Sequence, residues 1–446
     1  MTIKKLLEQD LYQKMKKFKV ITLGCKCNQY EADSIAMQLK NNGYKYSDKN
    51  PDIVIVNTCT VTAKAGMQSR QEIRKELKKN PLVKIIATGC HAQTEPEEIK
   101  KISEDIIIVS QGQKDLIPEF TINDSFEDSI LNHICSDTKF KFMPSSDSGS
   151  KTRAYLKIQD GCNAFCSYCI IPYSRGRSRS MEFNQVIEEL IKLNENGFKE
   201  VVLTGIHIGC YGKDLKEKTD FTSLIKYLSK SSEKFPRLRI SSIEPDEITD
   251  EIIEIASSDS VLCPHFHIAF QNGDDFILEK MKRPYSRNFL QELTTKINNK
   301  INDASIGADI LLGFPGETDA CFENTFKLLK ELPISYLHVF PFSPRKNTPA
   351  SKFKNQVNGK ITKKRCELTR NLSELKKEEF YKSQSGRIKN VLIENQRDKQ
   401  TNLLKGFTEN YISVLLQGND LLKNQIQNVK INYNSKTKNM EAIQND

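Results

Sequence analysis

No stretch of this 446-residue chain is apolar for long enough to cross a bilayer. Its longest purely aliphatic run, Ile106–Val109, is four residues, against about 20 for a membrane helix. A secretory signal is missing too, because Met1 to Lys17 are charged and helix-like and contain no apolar core. These absences predict a cytosolic protein with no membrane partner. No long internal repeat is present. Charge of neither sign dominates: a formal +10 permits a polyanionic partner without requiring one. With 38% hydrophobic and 28% charged residues, the chain predicts two to four folded domains rather than disorder.

Cysteine is plentiful, with twelve in the chain. Cytosolic cysteines do not form structural disulfides as a rule. They serve as metal ligands, nucleophiles or small packing residues, and position decides among these.

Three regions emerge, and the fold class predicted is α/β. Residues 17–140 alternate strands (Phe18–Leu23, Ile53–Asn57, Val83–Thr88, Ile106–Val109) with helices (Gln29–Asn42, Met67–Lys79, Pro96–Ile102). That alternation predicts a parallel sheet flanked by helices. A linker follows between Lys141 and Thr152, with Pro144, Gly149 and Ser145, Ser146, Ser148 and Ser150. Residues 148–381 repeat the alternation with six strands, at Ala154–Gln159, Glu200–Thr204, Arg237–Ser241, His265–Phe270, Ile306–Leu311 and Tyr336–Phe340. Six strand–helix units predict an open, partial (β/α)6 barrel. Residues 382–440 change character. Strand candidates Ile388–Ile393, Leu403–Phe407 and Tyr411–Leu416 predict a small carboxyl-terminal β-barrel, with the tail after Lys436 disordered. Nine Lys/Arg against four Asp/Glu between Lys382 and Lys436 give this region +5, half the chain's net charge.

Cys162, Cys166 and Cys169 form C-x3-C-x2-C just past the first barrel strand, where barrel chemistry is sited. Their spacing also fits one helix face, but Gly161, Asn163 and Pro172 argue for a loop. Structural zinc wants four closed ligands, and a fourth is missing here. Three thiolates on a four-iron cluster leave one iron free for a small molecule. Cys25, Cys59 and Cys90 each stand two residues past a predicted strand, at Leu23, Asn57 and Thr88. Parallel strands point their carboxyl ends the same way, so these thiols should converge on one sheet edge. A second cluster with one open iron fits that triplet best. Cys27 is too near Cys25 to share it comfortably.

The first triplet closely resembles the signature of the radical-SAM superfamily. The segments Thr22–Asn28, Asn57–Thr62 and Thr88–Gln93 resemble the amino-terminal domain of methylthiotransferases, and residues 382–440 resemble a TRAM module. The likeness covers nearly the whole chain. It implies two 4Fe–4S clusters, with metal ligands Cys162, Cys166 and Cys169 for the radical-generating cluster and Cys25, Cys59 and Cys90 for an auxiliary one. It implies S-adenosylmethionine on the free iron and a pocket contributed by Tyr168, Thr204, Gly205, Glu244, Gln271 and Asp309. Arg175, Arg177 and Arg179 form either a solvated basic turn or a contact to phosphate or to the methionyl carboxylate. No general base is legible.

Within the family, the segments Thr204–Gly212 and Leu337–Ser343, together with Lys26 beside Cys25, resemble the branch that methylthiolates carbon 2 of threonylcarbamoyladenosine at tRNA position 37. The resemblance implies a tRNA anticodon loop as partner, with a reductant protein and a sulfur donor that the sequence does not identify. Sister branches act on isopentenyladenosine in tRNA or on a ribosomal-protein aspartate. A zinc-dependent RNA-binding protein is the reading from another class. His265 and His267 share a strand face, but no third ligand is evident, which predicts polar pocket lining rather than a metal site.

Overall fold

The computed structural model describes residues 16–124, 139–144, 152–258 and 261–443. The expected terminal segment Met1 to Lys17, most of the serine-rich linker, and Cys135 fall largely outside them. The chain divides into two compact units. The first holds the residues up to Asp147 together with Gly161–Asn163 and Cys169–Arg177; the second holds the remainder.

In the first unit, five parallel strands run in the order β2-β1-β3-β4-β5: β1 (Lys17–Thr22), β2 (Lys45–Tyr46), β3 (Ile53–Thr58), β4 (Lys84–Gly89) and β5 (Ile107–Ile108). The central strand β3 is buried at every position. It therefore reads as a continuous apolar run instead of an alternation. Val54, Val56, Ile85 and Ala87 pack against Ile73 of the helix Ala63–Lys79. Thr62 caps that helix by accepting a hydrogen bond from the Ala65 N–H at 3.1 Å.

In the second unit, the expected partial barrel is present as two three-stranded parallel sheets. One joins β6 (Ala154–Lys157), β9 (Glu200–Thr204) and β10 (Arg237–Ile240) in the order β10-β9-β6. The other joins β11 (His265–Gln271), β12 (Ser305–Leu312) and β13 (Tyr336–Pro341) in sequence order. Parallel bridges at Leu238–Leu262 and Ile243–Ile268 link them. A short antiparallel ribbon, β7 (Gln159–Asp160) with β8 (Arg179–Ser180), was not foreseen.

The 26-residue helix Gly359–Gln384 packs along β13, where Ser373 Oγ accepts the Leu337 N–H at 2.8 Å. It leads into a closed barrel of β14 (Ile388–Ile393), β15 (Leu404–Thr408), β16 (Ser413–Leu416), β17 (Ile426–Asn434) and β18 (Asn439–Ile443). The expected disorder after Lys436 is corrected here. Residues Asn439–Ile443 pair in parallel with β16 and antiparallel with β17, and Met440 is fully buried in the barrel core. Closure removes the free edges that a four-stranded sheet would expose.

One buried carboxylate ties this barrel to the strands above it. Glu200 on β9 accepts from Arg237 Nε at 2.6 Å and from Arg239 Nε at 2.9 Å. The same guanidinium groups donate to the carbonyls of Phe407 and Glu409 in the small barrel, each at 2.9 Å. Burial opposes ionisation of Glu200, but Arg239 and then Arg237 outweigh it and pull its carboxyl down to about 2.

Tyr411, with φ +67°, reaches from the β15–β16 turn to the amino-terminal ends of the core strands. Its ring lies 4.6 Å from that of His265, and the Arg239 guanidinium sits 4.7 Å from its centroid.

Candidate functional site

The thiols of the first unit are placed by strand register. Thr22 pairs with Asn57, and Asn57 with Thr88. Counted from those partners, Cys59 and Cys90 stand two residues beyond, as expected, but Cys25 stands three beyond. Gly24, at φ +93°, takes up the extra residue. A Cβ at Gly24 would lie 2.7 Å from Cys59 Sγ, so only glycine lets the Cys59 thiol approach the Cys25 turn. Gly89, also at φ +93°, does the same before Cys90, where a Cβ would strike the Thr58 carbonyl at 2.4 Å.

Hydrogen bonds lock the three turns together. Asn28 Nδ2 donates to the carbonyls of Leu23 at 2.7 Å and Thr58 at 3.1 Å. Thr58 Oγ1 donates to the Thr88 carbonyl at 2.6 Å and accepts from the Ala92 N–H at 3.0 Å. The structure thus brings Cys25, Cys59 and Cys90 to one edge of the sheet.

Their electrostatics differ. Cys25 is the N-cap of the helix Lys26–Asn41, yet its thiol makes no capping bond. A hydrogen bond with Cys27, and then the charge of Arg175, bring the Cys25 thiol down to about 6. Burial, with Cys90 next to it, pushes Cys59 up to about 12. Cys27 itself is buried.

Of the two readings for the basic segment, a solvated turn is ruled out for Arg175. It is fully buried in the first unit, where it donates to Glu31 Oε1 at 2.9 Å and to Asn28 Oδ1 at 2.5 Å. Lys114 donates to Glu31 Oε2 at 2.6 Å from the other side. Sequence reasoning missed Glu31 and Lys114, because a charged residue on a helix surface and one in a short 3₁₀ segment carry no sign of being buried.

Of the second triplet, Cys162 and Cys169 belong to the first unit and Cys166 to the second. Gly161, at φ +71°, admits the Arg177 carbonyl, which a Cβ would meet at 1.9 Å, and the Cys162 N–H donates to the Gly176 carbonyl at 3.0 Å. In the second unit Cys166 is buried and Arg283 Nη1 donates to its sulfur at 3.0 Å. Ser167 fixes the neighbouring backbone: its Oγ donates to the Lys280 carbonyl at 2.7 Å, and its own carbonyl accepts the Ala350 N–H at 2.8 Å.

The six residues expected around S-adenosylmethionine are spread along the second unit. Thr204 ends β9 and is buried. At Gly205 a Cβ would stand 2.9 Å from Gln159 Oε1, so the backbone approaches closely there. Glu244 forms an ion pair with Arg283, a residue the sequence did not mark. Gln271 ends β11 with φ +63°. Tyr168 packs against the buried cluster that includes Met281 and Phe314. Asp309 is hydrogen-bonded by His267 Nε2 at 2.8 Å and faces His338 Nδ1 at 3.5 Å. The third ligating group that the histidine pair lacked in sequence is therefore present, although His265 itself bonds Tyr336 instead. A second such group joins His207, Cys210 and Glu247, with His207 Nε2 3.0 Å from Glu247 Oε1. Cys210 is therefore part of a polar cluster, whereas Cys263, Cys321 and Cys366 are buried.

Residues 17–110 match the model described as Uncharacterized protein family UPF0004, and residues 156–329 match that of the Radical SAM superfamily. A radical S-adenosylmethionine methyltransferase, TsrM from Kitasatospora setae, shares the fold at TM-score 0.55 and 15% identity over 73% of this chain and 72% of its own. The fold and these matches define a radical SAM enzyme, whose cofactors are S-adenosylmethionine and 4Fe–4S clusters. Threonylcarbamoyladenosine tRNA methylthiotransferase MtaB of Rickettsia prowazekii is 39% identical over 89% of this chain and 90% of its own, and that of Bacillus subtilis 36% over 92% of each. A tRNA-2-methylthio-N(6)-dimethylallyladenosine synthase of Fusobacterium nucleatum is 34% identical over 94% of this chain and 97% of its own. The chain belongs to the tRNA methylthiotransferase family.

The residues present suit such cofactors. Each triplet offers thiols and no competing carboxylate among its three members, glycines clear space beside them, and Arg283 donates to one sulfur. Soft thiolate sets of this kind select iron–sulfur clusters or zinc. Among the described residues no helix is long and apolar enough to cross a membrane.

Proposed function

We propose that this enzyme transfers a methylthio group to carbon 2 of threonylcarbamoyladenosine at position 37 of tRNA. The observation that carries the reading is the meeting of Cys25, Cys59 and Cys90 on one sheet edge, in a chain that also has the C-x3-C-x2-C loop. Curated relatives similar over about nine-tenths of the chain bear that substrate in their names.

Cys162, Cys166 and Cys169 would hold one cluster, and Cys25, Cys59 and Cys90 the other. When bound, the clusters supply the electron that opens S-adenosylmethionine and a place to hold the sulfur to be transferred. The chain's own part is positional. Arg283 donates to the Cys166 sulfur and pairs with Glu244. Arg175, Glu31 and Asn28 fix the Cys25 turn. Tyr168, Thr204, Gly205, Glu244, Gln271 and Asp309 would line the cofactor and substrate pocket. Such pre-orientation converts an improbable encounter into a local one.

The reading divides the chain into 17–140 for the auxiliary cluster, 148–381 for the radical chemistry and 382–440 for RNA. The last segment carries the excess of basic residues suited to phosphate contacts. The target base must leave its stack to reach the core. A reductant protein and a sulfur donor are required as partners, and the cytoplasm is the proposed location.

Nucleoside mass spectrometry of tRNA from a strain lacking the gene should show loss of the methylthio form of threonylcarbamoyladenosine, with its precursor accumulating. Loss of the dimethylallyl derivative alone would redirect the assignment to the sister branch.

A further inference from the structure

Side chains alternate across β11, β12 and β13. One face carries Phe266, Ile268, Ile306, Ala308, Leu337 and Val339, all buried. The other face, turned into the partial barrel, is polar where an apolar lining would serve. Gly307 opens it: the Tyr336 ring lies over this glycine, where a Cβ would meet it at 2.2 Å. Tyr336 Oη there bonds His265 Nε2 at 2.8 Å and His267 Nδ1 at 3.0 Å. His267 Nε2 then bonds Asp309 Oδ1 at 2.8 Å, and the same oxygen faces His338 Nδ1 at 3.5 Å.

This relay has a direction. His265, Tyr336 and His267 are enclosed, and both ring nitrogens of His267 are used. His338 ends the relay with its side chain 55% exposed, and no described residue bonds its Nε2. Asp309 thus turns one edge of the imidazole to itself and leaves the other for a ligand. Burial opposes ionisation of Asp309, but hydrogen bonds from His267 and His338 outweigh it and hold the carboxyl well below the usual range. A ring set between two carboxylates, Asp309 on Nδ1 and a ligand on Nε2, can donate to both. Phe340, two residues on and on the same face, is exposed and presents its ring edge-on to His338 at 6.5 Å. The exposed nitrogen at the end of this fixed series is open to an anionic or hydroxylic ligand in place of water.

We infer that His338, steered by Asp309, is the specificity residue that recognises the carboxylate of the threonylcarbamoyl substituent. The inference rests on the substrate proposed above. That substituent carries a carboxylate and a hydroxyl, whereas a dimethylallyl group carries neither. A donor aimed at a carboxylate makes a charge-assisted bond with the first and is left unpaired by the second. Asp309 acts through His338 and is a positioning residue.

The test compares binding of two tRNAs of one sequence to the cluster-loaded full-length enzyme, one with threonylcarbamoyladenosine at position 37 and one with adenosine. The wild-type enzyme should prefer the modified tRNA by roughly tenfold or more, as a charge-assisted hydrogen bond implies. In His338→Leu that ratio should fall to about one, through weaker binding of the modified tRNA. In His338→Gln, which retains a donor, part of the ratio should survive. A purely structural role would weaken both tRNAs alike. If His338→Leu keeps the wild-type ratio, the inference is overturned and the substrate stands. If the wild-type enzyme shows no preference and methylthiolates dimethylallyladenosine tRNA instead, the substrate proposal fails and the inference with it.

Discussion

Replacing Cys166 by alanine should abolish both methylthiolation and cleavage of S-adenosylmethionine, whereas replacing Cys59 should abolish methylthiolation alone. Each variant should retain about half the iron of the wild-type protein, because one of two four-iron clusters would remain. Product formation should fall by at least about a thousandfold in both, since residues that act as a unit lose nearly all activity when one is removed. The asymmetry follows from placement. Cys166 belongs to the loop after the first barrel strand and is bonded by Arg283 in the second unit. Cys59 sits against Gly24 in the first unit, between Cys25 and Cys90. Iron analysis with a 5′-deoxyadenosine assay separates the two variants. Full iron in either one would show that its triplet is not a ligand set.

The largest stability effect should come from Glu200→Gln. Glu200 is fully buried and opposes Arg237 and Arg239, with Arg153 Nη1 3.9 Å away. Removing its charge leaves guanidinium groups enclosed without a counter-ion, a loss on the order of 3–5 kcal/mol. For a unit of this size the thermal midpoint should drop by roughly 10 °C. Acid should erase the difference. The folded carboxyl is pulled from 4.5 to about 2, so its contribution is complete above pH 4.5 and vanishes as pH falls towards 2. The gap between wild-type and variant midpoints should therefore narrow across that window. A constant gap would mean that Glu200 acts by packing alone.

Much of this architecture could be read from residues. Strands β3 and β4 are largely apolar runs, β1 mixes apolar residues with lysines, and all three lead into Gly or Cys turns, so their placement and the convergence of three thiols followed from period and topology. Strands β2, β17 and β18 escaped notice for a different reason. Lys45 and Tyr46 are both exposed, β17 alternates around polar residues, and among the side chains of β18 whose burial is described Met440 is the fully buried one. Their pairing is decided by partners distant in sequence, and a local pattern does not record that. The same holds for the charged residues. Nothing local distinguishes Glu31, Arg175 and Glu200, which are enclosed, from the many lysines and glutamates that face water. His338 was legible only as part of a family segment, because its pairing with Asp309 crosses from one strand to the next.

The position of Tyr411 limits how freely such enzymes can exchange parts. The residue comes from the small carboxyl-terminal barrel, yet it forms the floor of the core, tilted against His265 and beneath the guanidinium of Arg239. A chimera that took its carboxyl-terminal barrel from a distant relative would import a different floor along with a different surface. The two modules have to be inherited, or redesigned, as one piece.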